Sequence, residues 1–90
     1  MAKLTLASAL DPGAASDLYS RLKTLTHEPV ELDGSEVEWL GTPALQVLIG
    51  AKTRWDQAGL AFEVVRPSAA FSTALARMDA ADLASTGDME

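Results

Sequence analysis

Leu4 and Leu6 alternate with Lys3 and Thr5 near the start of the chain, the two-residue period of a short strand that ends around Ala7 to Leu10. Asp11-Pro12 then opens a helix: an aspartate accepts from the first free N–H groups, and a proline in the first turn gives up a donor that has no partner there. Ala14 or Ala15, Leu18, Leu22 and Leu25 follow at spacings of three and four. Ser16, Asp17, Ser20, Arg21 and Lys23 fall on the opposite face, so this helix is amphipathic and runs to about Thr26. Pro29 closes it, and Val30 to Leu32 form a brief second strand that enters the turn-forming cluster Asp33-Gly34-Ser35.

A longer helix begins at Thr42-Pro43 and runs to about Ala58, where Gly59 supplies a left-handed terminal residue. Leu45, Leu48, Ile49 and Trp55 are predicted to face the sheet from it, beside Ala44, Val47 and Ala51. Ala61-Phe62-Glu63-Val64-Val65 is the strongest strand signal, and Arg66-Pro67-Ser68 turns it into a third helix with Phe71, Leu75 and Met78 on one face. Strands and helices thus alternate, with connections that suit helical crossovers between parallel neighbours. The expected fold is α/β, with a small, mostly parallel sheet of about three to four strands and right-handed crossovers. No repeat, low-complexity tract or linker divides residues 1–90, which read as one domain with a frayed tail from about residue 85.

Composition narrows what such a domain can do. Sixteen of the hydrophobic residues are alanine, which leaves a thin core. A net charge of −6 opposes the cation-driven attraction that nucleic acids and anionic membranes require, so neither is an expected partner. The absence of cysteine removes disulfides and thiolate chemistry. No apolar run has the length of a membrane span, and Met1-Ala2-Lys3 does not begin a secretory signal, so the expected location is the cytoplasm.

Catalytic patterns are also lacking. His27 is the single histidine, predicted at a helix end where it complements the helix dipole. Gly41, Gly50 and Gly59 form no phosphate-cradling loop, and no serine sits in a nucleophile elbow. Glu28, Glu31, Asp33, Glu36 and Glu38 crowd eleven residues, with no Lys or Arg from Thr24 to Ala51, yet their spacing fits no calcium loop. They read instead as an acidic rim that steers a partner. Asp33 at a strand end invites comparison with a phosphate-accepting receiver, but only Asp11 stands where such a domain needs an acidic pair. The expectation is a protein without enzymatic activity, metal or cofactor.

Thr42 is the residue singled out. It is predicted to cap the longest helix, where free N–H groups and the positive end of the dipole converge, with its loss costing about 0.5–2 kcal/mol. A phosphate on its hydroxyl would add roughly −1.5 to −2 charges at a site that favours anions, and would change the surface beside Glu36 and Glu38 without unfolding the helix.

The run Leu32-Asp33-Gly34-Ser35-Glu36-Val37-Glu38-Trp39-Leu40-Gly41-Thr42-Pro43-Ala44-Leu45 resembles the centre of STAS domains, the fold of anti-sigma-factor antagonists. There a strand ends in Asp-x-Ser-x-Val and Asp-Ser-Ser-Gly-Leu opens the next helix. Leu10-Asp11 is similar to the start of the family's first helix, and Arg66 to Phe71 to the segment after its last core strand, so the likeness covers about residues 3 to 84. The family's phosphoacceptor serine falls on Thr42, Gly41 replaces the preceding aspartate, and Pro43-Ala44 replace Ser-Gly. Relative to typical members the chain begins at the equivalent of the second strand and stops early, which leaves a sheet edge that a partner or a second copy in a homodimer can cover.

The resemblance implies a regulatory protein that docks a partner: an anti-sigma factor that is a histidine-kinase-like ATPase, or a chemotaxis-type signalling protein. Phosphorylation of Thr42 would end or weaken docking. The alternative it implies is a constitutive, unphosphorylated accessory subunit, as in lipid-transport ATPases. On either reading Asp11, Ser35, Glu36, Glu38, Gly41, Thr42 and Pro43 make the docking face.

Overall fold

Residues 2–78 and Ala80 are described in the structure, a computed structural model. The elements run β1 (Ala2–Thr5), β2 (Ala9–Leu10), α1 (Pro12–Lys23), β3 (Val30–Asp33), β4 (Trp39–Leu40), α2 (Thr42–Ala58), β5 (Phe62–Val65) and α3 (Ala69–Arg77). The expected tail from residue 85 lies outside the described residues.

Two-residue periodicity builds the main sheet. β3 lies between β1 and β5, all parallel, in a register that aligns Ala2, Val30 and Phe62 in one row and Leu4, Leu32 and Val64 in another. These apolar rows form the covered face, and Val30, Leu32 and Val64 are completely buried. The alternate rows, Lys3 with Glu31 and Glu63, and Thr5 with Asp33 and Val65, form a polar face that retains exposure. Helices α1 and α2 pack against each other over the apolar face. Trp55 anchors α2 there: its ring tilts against Phe62 with centroids 5.8 Å apart, and its indole N–H donates to the Glu28 carbonyl at 2.8 Å.

Beyond the carboxyl ends of β1 and β3, two-residue strands β2 and β4 pair in parallel, Ala9 with Trp39 and Leu10 with Leu40. So short a pair has no periodicity to read, and the sequence pattern does not reveal it. It nevertheless brings the starts of α1 and α2 together, because each of its strands feeds one of those helices.

Four boundaries or faces differ from expectation. The first strand stops at Thr5 rather than around Ala7 to Leu10, because Ala9 and Leu10 pair with β4 in the second sheet instead. Helix α1 stops at Lys23 rather than about Thr26, since the Thr24 N–H and hydroxyl both donate to the Arg21 carbonyl and tighten the chain into turns. Ile49 is 40% exposed and does not face the sheet, because Ala44, Leu45, Leu48, Ala51 and Trp55 already complete the buried stripe of α2. Met78 follows the end of α3 and is exposed, leaving Phe71 and Leu75 as its buried anchors.

Other helix ends follow their sequence signals. Gly59 terminates α2 with φ 73°, the left-handed conformation that favours glycine. Ser68 caps α3 by accepting from the Phe71 N–H, and its hydroxyl donates to the Val37 carbonyl, tying α3 to the β3–β4 loop. Gly34 is sterically required: a Cβ there would lie 2.7 Å from the buried Phe71 ring. No polar or charged residue among those described is buried, so the chemistry available to the domain is on its surface.

Candidate functional site

The β2–β4 pair sets the starts of α1 and α2 side by side, with the Gly41 N–H donating to the Leu10 carbonyl at 3.0 Å. Each start presents N–H groups at the positive end of a helix dipole. In α1, Asp11 meets this need as its sequence suggested, since Oδ1 accepts from the Ala14 N–H at 2.8 Å.

α2 is built differently. Its capping position is Gly41, in extended conformation, and no side chain caps the first turn. Thr42 is therefore the first residue of the helix and not its cap, which corrects the role expected for its hydroxyl. The side chain is exposed and makes no hydrogen bond among the described residues. Pro43 follows within the same turn and is also exposed. The expected consequence is a contrast: Asp11→Ala lowers stability by about 0.5–2 kcal/mol, whereas Thr42→Ala unfolds near the wild-type midpoint. Parallel thermal melts check it, and an equal loss in both variants would contradict the assignment of caps.

Trp39 completes this surface, although sequence reasoning did not place it in the site. Its side chain is 53% exposed while its neighbour Leu40 is buried. The indole lies across Gly41, where an added Cβ would stand 2.9 Å from the ring and 3.2 Å from the Leu10 carbonyl oxygen. Gly41 and Trp39 are thus matched: any larger residue at 41 displaces the ring. The only advance signal was a tryptophan in a polar loop, and its outward direction follows from β4, which the pattern did not show.

The docking residues expected from the sequence divide into two groups. Asp11, Gly41, Thr42 and Pro43 meet at the paired helix starts, and Glu38 adjoins them on the strand side, its N–H bonded to the Ser8 carbonyl. Ser35 and Glu36 belong to a turn anchored elsewhere, through Gly34, which donates to the Val65 carbonyl and accepts from the Ser68 N–H. Both are exposed.

Asp33 organises that second group. Its Oδ1 accepts from the Ser35 N–H at 2.9 Å, and its Oδ2 accepts from Arg66 Nε at 3.2 Å and Nη2 at 2.9 Å. Arg66 also approaches Glu31 at 4.0 Å and holds a left-handed φ of 49°, unusual for a side-chain-bearing residue. The Ser35 hydrogen bonds, followed by the Arg66 guanidinium, lower the Asp33 pKa from 3.8 to about 2. The acidic run is consequently not a single rim. Arg66, remote in sequence, bridges two of its five carboxylates, while Glu28, Glu36 and Glu38 remain exposed and unpaired among the described residues.

A pH dependence follows with a definite sign. The folded-state pKa of Asp33 lies below its ordinary value, so its contribution to stability is complete above about pH 4 and is lost as pH falls towards about 2. Asp33→Asn is expected to flatten the decline in thermal midpoint over that interval, and melts at stepped pH check it. An unchanged acid profile would show that the Arg66 and Ser35 contacts do not hold in solution.

His27 is exposed in the turns after α1 rather than at the helix end. Among the described residues no group of three or more His, Asp or Glu converges to hold a metal ion, and no helix is long and apolar enough to cross a membrane. In comparison with known proteins, a family model described as Mlab, STAS domain, matches residues 1–85. No curated protein matches the chain.

Proposed function

Because this chain belongs to the STAS domain family, whose members are regulatory domains that generally bind protein partners, we propose that it works by docking one protein through the paired starts of α1 and α2. Trp39 is the apolar anchor of that face and lies over the buried Gly41, and the exposed Asp11, Glu38, Thr42 and Pro43 belong to the adjoining strand and helix starts. The observation that carries this reading is an exposed tryptophan lying on Gly41, with an exposed threonine next in the chain after that glycine whose hydroxyl makes no hydrogen bond among the described residues. Aromatic side chains of this kind dominate the energetics of protein interfaces.

Thr42 is the switch. Its hydroxyl is accessible, its loss costs the helix no cap, and phosphorylation would place a dianion at the positive end of α2. The helix tolerates that charge, but an apolar anchor set beside it no longer meets a neutral surface. The partner on this reading is an anti-sigma ATPase or a chemotaxis-type signalling protein, in the cytoplasm, and the domain itself performs no catalysis.

A second reading has its own support. Gly41 and Pro43 depart from the Asp-Ser-Ser pattern of phosphorylated members, and the indole fills the space that a side chain at 41 would need. On that account the domain is a constitutive accessory subunit, as in lipid-transport ATPase complexes. Co-purification from the source cell with mass spectrometry of both the partner and the Thr42 peptide separates the two. A phosphorylated Thr42 supports the switch, and an unmodified peptide in every growth state supports the subunit. Incubation of the pure protein with acetyl phosphate, or with ATP and magnesium, should leave it unlabelled; self-labelling would overturn the non-enzymatic reading.

A further inference from the structure

A groove of about 290 Å3 runs between the outer sides of α1 and α2, lined by Tyr19, Leu22 and Lys23 from the first helix and Val47, Gly50 and Arg54 from the second. It begins beyond the first turn of each helix, with Gln46 and Val47 one turn along α2 from Thr42 and Pro43, and neither Trp39 nor Thr42 lines it. Two observations concerning it are independent of each other.

The first is Gly50. Glycine is a poor interior helix residue because it loses the most backbone freedom, and it is retained where something must approach closely. Among the described residues nothing packs against this one: a Cβ built at Gly50 meets no atom of another element within 4 Å, and its φ is not in the left-handed region. Its surface is therefore open to a close approach by a docked segment.

The second is charge. The chain is acidic overall; among the described residues Arg21, Lys52 and Arg66 are paired with carboxylates, whereas Lys3, Lys23, Arg54 and Arg77 are not. Lys23 and Arg54, which border the groove, have no carboxylate within 4 Å among the described residues; Lys23 lies instead over the exposed Tyr19 ring, 5.3 Å from its centroid. An apolar floor between two uncompensated cations complements a segment with an apolar stripe and acidic flanks. We propose that the α1–α2 groove is a second docking site, which takes an acidic amphipathic helix of a partner protein with its backbone close to Gly50. Such a helix lays its apolar positions into a groove at spacings of three and four.

The test uses the whole chain and a synthetic sixteen-residue amphipathic helix with leucine on one face and glutamate along both flanks, titrated while the backbone amide signals are followed by NMR. Expected are shifts centred on Gly50 and Arg54, affinity at least roughly tenfold above that of the same peptide with lysine for glutamate, and weakening with salt. Lys23→Glu combined with Arg54→Glu should reverse the order of the two peptides. Gly50→Leu should melt at or above the wild-type midpoint, because it replaces a poor helix former with a good one, and yet lose at least roughly tenfold in peptide affinity. A merely structural glycine would not divide those two readouts. Trp39→Ala should leave peptide binding unchanged, which keeps this site distinct from the Thr42 face.

Equal affinity for both peptides, no binding of either, or full binding by Gly50→Leu would overturn the proposal. So would self-association of the wild type that Gly50→Leu abolishes, which would assign the groove to a second copy. A larger response of the same amides to phosphatidylglycerol vesicles than to the acidic peptide would assign it to an anionic surface.

Discussion

Trp55→Ala is expected to lower the thermal midpoint by at least roughly 12 °C and to leave much of the population unfolded at moderate denaturant. The side chain is 1% exposed, rests on Phe62 and holds the α1–β3 connection through its bond to the Glu28 carbonyl. Truncating a buried aromatic costs about 3–5 kcal/mol, a large share of the roughly 5–15 kcal/mol available to a small domain. Each kilocalorie moves the midpoint of a domain this size by about 4–8 °C. Trp55→Phe isolates the polar part of the loss: the ring is largely retained, while the Glu28 carbonyl loses its donor, at a cost of about 1–3 kcal/mol. Denaturant titration of both variants checks the order, and a Trp55→Ala protein as stable as Trp55→Phe would refute the account of the α2 anchor.

The residues that set the fold and those that set the site differed in how much the sequence disclosed. Val30 and Leu32 alternate with Glu31 and Asp33, and Glu63 separates Phe62 from Val64, so the strands and their buried face follow from local pattern. Asp11-Pro12 and Gly59 declare helix ends through chemistry that acts within a few residues. Thr42 looked equally declarative and was not: a threonine before a proline has the composition of a cap, but the backbone turns one residue earlier, at Gly41. The reason is tertiary, since the Gly41 N–H is drawn to the Leu10 carbonyl of the neighbouring strand. Trp39 and Arg66 were hidden for the same kind of reason. The direction of Trp39 depends on a two-residue strand, and Arg66 reaches Asp33 from the end of a strand remote in sequence.

Trp39→Ala is the second large effect expected. Removal of an interface tryptophan costs about 2 kcal/mol or more of binding, or roughly thirtyfold in affinity. Stability should change little, because the side chain is half exposed and its ring covers a glycine rather than filling the core. The signature is therefore a fall in partner affinity with an unchanged melt. Gly41→Ser should give a milder form of the same result, because its side chain pushes the ring away and crowds the Leu10 carbonyl. Calorimetric titration of the co-purified partner reads both. If Trp39→Ala binds as the wild type does, the partner docks elsewhere on the domain.

Negative charge at Thr42 is expected to govern docking while leaving the fold alone. The direct measurement is the affinity of the co-purified partner for wild type, Thr42→Val and Thr42→Glu, with a melt of each. Three proteins of nearly equal stability are expected, with Thr42→Val within roughly threefold of wild-type affinity and Thr42→Glu weakened by about tenfold or more. Thr42→Glu binding as tightly as the wild type would contradict the switch and leave the domain a constitutive subunit.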